Sequence, residues 1–580
     1  MKKVTLNIFK LFSTVFCLMW CVGCQDDFLE KTPDGKYTGE SFYTSDDAVL
    51  KACEPLYNRA WFNYNRRSIL GLGSLRANDG WNLYMNAEFA RFQITALTGE
   101  IMQAWSSLHT VVTMSNAILH DVSKNSGPDV SAEVKNQAIG EAYLMRGVAY
   151  FYMLRIWGAC ILFENNDEVV LNPVRPLNPE EDVLKFVIRD FRRAAEYLPI
   201  KGINGHASSY AAKALLAKAL LAQSGWNKGG TRDETILKEC IALCEDVIDN
   251  SGATLIDYEN LFKYQYNDND ETLLAMKWAS PITGSWGECN ALLSDLSFSD
   301  VCDVNCWGGS WVASADMIEL YNQELQDKKR LKATFFTYDT HYDYIKSASG
   351  GYTYDKKWIQ LKKGVVGSKE DVDGQLSVMA SPLNTYIIRL ADVYLTHAEA
   401  SLGNKPALNG GRGLESFNAV RSRAGIPHKT AITFEDIIRE RRVEFCMEYC
   451  NWYDMVSWYR YKPEYMLDYF NHQQHRNAFI DNNNVEINPD GSIRYNFGWR
   501  DSNGYVYWSD ALRDDDGNIV RSKADGYVFD LETLMRENNI DRIVVNESNV
   551  FAPYPEADVL QNPYLSMEPV PYDFSNNQQN

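Results

Sequence analysis

Apolar and small side chains recur at helical spacing along several long stretches of this chain. Within 133–157 they fall at Ala138, Ala142, Met145, Ala149, Tyr152 and Ile156, and a second stripe runs through Leu144, Val148 and Phe151. A helix apolar on two sides is held between neighbours on both. Residues 180–197 form an amphipathic pattern stopped by Leu198-Pro199. Residues 210–223 are alanine-rich and apolar almost all round, with Ser208 or Ser209 placed to cap them. Residues 387–403 repeat the alternation of small and large side chains seen at 141–158, and both segments close on glycine. The pattern predicts helices at all four places.

Small residues let adjacent helices approach closely, so these segments look like tetratricopeptide-type pairs, with a degenerate repeat broken by long insertions. The insertions differ in composition. Residues 226–310 and 337–382 are rich in Gly, Asn, Asp and aromatics, which predicts irregular loops with short strands. Asn488-Pro-Asp-Gly491 and Asp514-Asp-Asp-Gly517 read as hairpin turns. Asp514, Asp516 and Asn518 mimic the start of a calcium loop. However, Ile519 stands at the glycine position and Asp525 at the twelfth, so a plain turn is expected. The last residues, about 566–580, are polar and should run as an extended tail. The expected fold is mainly α: a helical-repeat scaffold interleaved with a loop-rich, partly β half, in one domain over 24–580.

Composition narrows the function. Aromatics at 13% and apolar residues at 45% are ample for a large core and exclude global disorder. Lys2, Lys3 and Lys10 precede an apolar run from Leu11 to Val22, then Gly23 and Cys24. A positive start, a short apolar stretch and a small residue before the break predict a secretory leader over 1–23, too short to span a bilayer. Cys24 at the cleavage point predicts a lipid attachment site. Removing 23 residues from 580 leaves 557, and losing three lysines takes the formal charge from −20 to −23. So acidic a chain is a poor partner for nucleic acid or anionic lipid, and the expected membrane tie is covalent. Beyond the leader and Cys24, nine cysteines remain, an odd number that rules out complete internal pairing. Cys240/Cys244 and Cys446/Cys450 sit four apart in helical patterns and are expected to be buried free thiols.

Catalytic signatures are missing. There is no His-Glu-x-x-His, Gly-x-Ser-x-Gly, Walker loop or Gly-x-Gly-x-x-Gly. His472 and His475 lie in a polar stretch and read as surface residues; Cys302 and Cys306 lack a matching pair for zinc. No motif selects an acid/base pair from the 77 carboxylates. The chain therefore reads as a binding protein with no catalytic residue, cofactor or metal. Its aromatic loops carry the ligand expectation, because the apolar C–H faces of sugars stack on flat rings while hydroxyls pair with nearby polar groups. The segment 61–105 contains Arg76-Ala-Asn78-Asp79-Gly-Trp81-Asn-Leu-Tyr84, and Trp278, Trp286, Trp307 and Trp311 lie in a Gly/Ser-rich region. The expected ligand-contacting residues are Trp81, Tyr84, Trp286, Trp307 and Trp311, with Asn78 and Asp79 as polar partners. Trp61, Trp157 and Trp452, on helical patterns, are assigned to the core.

Separated blocks run along the chain in order: CQDDFLEKTP after the leader, SFYTSDDA at 41–48, EAYLMRGVAYFYMLRIWG at 141–158 and DFRRAAEYLP at 190–199. IIRLADVYLTHAEA (387–400), FNAVRSRAGIP (417–427), ITFEDIIRERRVEFCMEYCNWYDMVSW (432–458) and FAPYPEADVLQNPYL (551–565) follow. In that order they resemble the SusD/RagB family of nutrient-binding outer-membrane lipoproteins of the Bacteroidetes. Two departures fall in the long helix expected over 432–458, where the family usually places arginine at the positions of Asn451 and Ser457. Arg441, Glu444 and Glu448 there read as a solvated or ion-paired face that braces the fold. The resemblance implies a lipid anchor at Cys24, outer-membrane placement facing the exterior, with Asp26 and Asp27 as an export signal, and a ligand face among the loops. It also implies a SusC-like TonB-dependent transporter as partner, to which a captured glycan or oligosaccharide is delivered. Binding of peptide or another non-sugar nutrient is the alternative, and a surface glycan hydrolase the third reading.

Overall fold

In the computed structural model, residues 42–575 are described, apart from 83–85, 305, 307, 324–326, 338, 357–358, 378, 473–478, 488–492, 501–505, 509–510, 514–518 and 523–542. Cys24, the leader, Tyr84, Trp307, His475 and the two expected hairpin turns lie outside the described residues, as does the side chain of His472.

A row of long helices forms the scaffold: α1 (Asp46–Cys53), α2 (Gly99–Asn125), α3 (Ala132–Trp157), α4 (Glu180–Tyr197), α5 (Ser209–Gly225) and α6 (Glu234–Asn250). After a loop-rich insertion come α7 (Leu390–Leu402), α8 (Arg412–Ala424), α9 (Phe434–Glu444) and α10 (Asn451–Tyr461). From α2 to α8 each helix packs on the next, the nearest-neighbour stacking of a repeat scaffold. The doubly apolar pattern of 133–157 has its predicted consequence: α3 is buried on nearly every side, between α2 and α4. Gly147 of α3 lies where a Cβ would come within 2.7 Å of the Phe191 ring of α4, so the small residue admits the large one. Buried Arg146 ties the layer together, donating to Asp190 of α4 at 2.7 Å and to Asn116 of α2 at 2.7 Å. Trp61, Trp157 and Trp452 are buried in the common core.

The insertions are partly β. Strand β1 (Gly80–Asn82) pairs with β3 (Trp311–Ala313), β2 (Thr272–Met276) with β6 (Thr385–Arg389) and β4 (Thr340–Tyr342) with β5 (Tyr352–Tyr354), all antiparallel. Residues 479–522 add an antiparallel meander of five strands.

Three expectations change. The interval 226–310 is not all loop, because α6 occupies its first part, capped by the Asp233 carboxylate on the N–H groups of Thr235 and Ile236. The helix expected over 387–403 starts only at Leu390, since 385–389 extends along β2, a partner more than a hundred residues away in sequence. The long helix over 432–458 is two helices, with Met447 and Tyr449 at positive φ in the break between α9 and α10. Distant groups hold that break open. The Met447 N–H donates to the Asp79 carboxylate at 3.2 Å, and the Lys363 ammonium donates to the Cys446 carbonyl at 2.6 Å.

Arg441, Glu444 and Glu448 are consequently ion-paired but buried rather than solvated. Arg389 binds Glu271, Glu444 and Glu448 at 2.6–2.8 Å, while Arg330 and Arg423 also reach Glu444. Burial raises the Glu444 pKa, but Arg423, Arg389 and Arg330 outweigh it and hold the carboxyl well below its usual range.

Gly73, in the helical segment Leu70–Leu75, sits against the same break: a Cβ there would lie 2.0 Å from the Tyr449 carbonyl oxygen. Backbone cannot yield as a side chain can. Gly73→Ala is therefore expected to cost roughly 2 kcal/mol or more by chemical denaturation. A variant as stable as the parent would contradict this packing.

Candidate functional site: an aromatic loop face

Segment 59–82 and the loop 277–296 are fastened together by polar contacts. The Arg59 guanidinium donates to the Ser285 hydroxyl at 3.2 Å and to Glu288 at 2.7 Å, the Asn65 amide to Asn290 at 3.1 Å, and Arg67 to Asp295 at 3.0 Å. Ser285 and Glu288 close a reciprocal capping box around the turn Trp286–Glu288. That turn presents Trp286 to solvent at 47% exposure, the one exposed tryptophan among the described side chains. Phe62 supports its ring edge-on, 5.7 Å between centroids at 72°, and Arg66 lies 5.9 Å over Phe62. A broad ring is thus held rigid at the surface, beside the Arg59 and Arg66 guanidinium groups, which are able to meet hydroxyls.

The sequence-predicted residues separate here. On the β1–β3 ribbon Trp81 faces Val312 and Trp311 faces Asn82, so the two rings point to opposite faces. Trp81 is 7% exposed, with the Arg91 guanidinium 5.6 Å over its ring. Trp311 is 1% exposed and packs inward, and Trp278 is also buried, its indole N–H donating to the Thr385 hydroxyl. Asn78 and Asp79 are fully buried and Trp81 lies in the core, which removes their side chains and the Trp311 ring from any surface ligand. Their roles are internal. Asn78 takes a left-handed backbone, φ 60°, which asparagine tolerates better than most residues, and its carbonyl accepts from the Ser314 hydroxyl at 2.6 Å. Phe62 and Arg59 carry little signal in the sequence; Trp61 and Tyr64, three apart, turn inward and leave Phe62 and Asn63 between them facing out.

Asp79 is a buried carboxylate with modest support. Burial pushes its pKa up to about 6, only partly offset by Arg442, the Asn451 amide on both oxygens (3.0 and 3.1 Å) and the Met447 N–H. Asn451 thus supplies a neutral donor, not a charged one. Between 3.8, the ordinary value, and about 6 the native protein keeps a proton that the unfolded chain releases. This contribution to stability is therefore full below that window and is lost as pH rises through it. Asp79→Asn is expected to remove that pH-dependent loss, seen as a changing difference from the parent in denaturation midpoints from pH 4 to 7. A difference constant with pH would contradict it.

No group of three or more His, Cys, Asp or Glu side chains able to hold a metal occurs among the described residues. Nor is any described helix long and apolar enough to cross a membrane.

Comparison with known proteins places this geometry. The SusD family model matches residues 262–569, and a second model, described as starch-binding associating with outer membrane, matches 27–221. A SusD-like protein of Bacteroides ovatus is 49% identical over 95% of this chain and 96% of its own length. A crystal structure with xylogluco-oligosaccharide is 47% identical, superposes with a TM-score of 0.80 and covers 91% of this chain and 99% of that one. A SusD-like protein of Bacteroides fragilis, 17% identical over 92% of this chain and 99% of its own, shares the fold with a TM-score of 0.61. With more than half its length matched by the family model and a near-full-length relative at 49% identity, this chain belongs to the SusD family of carbohydrate-binding, outer-membrane-associated proteins.

Proposed function

We propose that this protein captures an oligosaccharide of the xylogluco type on its aromatic loop face without cleaving it, and delivers it to a SusC-like TonB-dependent transporter. The observation that carries the reading is the xylogluco-oligosaccharide complex of a protein 47% identical over nearly its whole length. Trp286 is the exposed platform, and Tyr84 and Trp307 lie within the aromatic stretches 61–105 and 226–310 by sequence. Glucose and xylose rings offer apolar faces to such platforms, and their hydroxyls meet polar side chains at the rim. Cys24 carries the lipid that keeps the protein on the exterior of the outer membrane, beside its transporter.

Affinity electrophoresis through gels containing xyloglucan, laminarin or starch tests the ligand class. Retardation by xyloglucan is expected. Unretarded migration in every glycan gel, together with saturable binding of peptides, would overturn the reading in favour of a non-sugar nutrient.

A further inference from the structure

The described cysteines are free thiols, and most have settled partners: Cys240 donates to the Ala217 carbonyl, Cys289 to that of Ser285 and Cys160 to that of Gly158. Cys302 and Cys306 differ. Their sulfurs lie 3.6 Å apart, the Cys306 S–H directed at the Cys302 sulfur, between Leu296 and β3 in sequence. Cys302 is buried in a small satellite core with Leu293, Val366 and Leu376, whereas Cys306 packs on its edge and keeps partial exposure. Cys240 and Cys244 lack that access, because both are fully buried in the regular helix α6.

A disulfide needs its sulfurs about 2.05 Å apart, so closing this pair takes a movement of roughly 1.5 Å. The chemistry favours it too. The hydrogen bond from Cys306 lowers the Cys302 thiol to about 7 in spite of its burial, with smaller help from Val304 and Ser297, while Cys306, left holding the shared proton, is raised. An accessible thiol that attacks beside a buried, lowered thiol that resolves is the arrangement of such a pair.

We propose that Cys302 and Cys306 form a dithiol that is closed to a disulfide by exchange with a low-molecular-weight disulfide. The pair shares one proton; in the minor form that carries it on Cys302, the accessible Cys306 thiolate attacks the external disulfide, forming a mixed disulfide and releasing one thiolate. The Cys302 sulfur, losing that proton to solvent or to the departing thiolate, then attacks the Cys306 sulfur and expels the second. Two thiols are oxidised and one external disulfide is reduced to two thiols. The clip closes a five-residue ring, 302–306. It fixes the chain entering β3, whose partner β1 carries Trp81. The inference is independent of which ligand the loop face takes.

The test is intact mass and peptide mapping of the mature chain, reduced, then treated with oxidised glutathione and quenched with alkylating reagent. The expected result is a loss of two hydrogens mapped to the peptide spanning 302–306 and reversed by dithiothreitol. Cys302→Ser should instead retain a stable glutathione adduct on Cys306. Full alkylation of both thiols in the oxidised parent, or a persistent Cys306 adduct there, would overturn the proposal. Because the decisive reading is made on the parent protein, misfolding of a variant does not affect it.

Discussion

Replacing Arg389 by methionine is expected to lower the free energy of unfolding by roughly 3–5 kcal/mol, the range for removing one partner from a buried ion pair. The side chain is 1% exposed and its guanidinium makes charged contacts with three carboxylates, Glu271, Glu444 and Glu448, plus one bond to the Glu444 carbonyl at 3.1 Å. Methionine fills much of the volume but leaves a cluster with too few cations in a site closed to water. Arg423, Arg330 and Lys363 remain nearby, which limits but does not cancel the deficit. The loss should appear as a lower urea midpoint with little change in slope. A shift worth less than about 1 kcal/mol, the scale of exposed pairs, would show that this network contributes little.

Replacing Trp286 by alanine is expected to weaken glycan binding by about 2 kcal/mol, or roughly thirtyfold in Kd, while leaving the denaturation midpoint nearly unchanged. The two readouts separate because the ring is exposed: 47% of it lies in solvent, and its main packing partner is Phe62. Trp311→Ala should do the reverse, since that side chain fills core and its loss leaves a cavity worth about 3–5 kcal/mol. An unaltered Kd for Trp286→Ala would move the ligand away from this turn. Equal loss of stability in both variants would mean that the exposed ring is structural.

Much of the scaffold was legible in the sequence because its causes are local. The apolar stripes of 133–157 and 180–197 specify helices whose ends fall at Trp157 and Tyr197, where Gly158 and Leu198-Pro199 stop them. What was misread depends on partners far along the chain. Thr385–Arg389 is a strand because Thr272–Met276 runs beside it. The helix over 432–458 breaks because Asp79, Lys363 and Tyr258 seize its backbone at Met447, Cys446 and Glu444. The site was visible only as composition. Aromatic and Gly-rich loops are recognisable, but that Trp286 faces outward follows from the Ser285–Glu288 capping box and that Trp81 and Trp311 turn inward from the β1–β3 pairing. Composition cannot express either, so Asn78, Asp79, Trp81 and Trp311 read like Trp286 although the fold puts them inside.

We propose that Trp286 and its neighbours hold an oligosaccharide without breaking it. Isothermal titration of the mature protein with xylogluco-oligosaccharide, followed by chromatography of the recovered sugar, tests it most directly. Saturable heat with the oligosaccharide recovered intact is the predicted result; no heat, or recovery of shorter products, would contradict it.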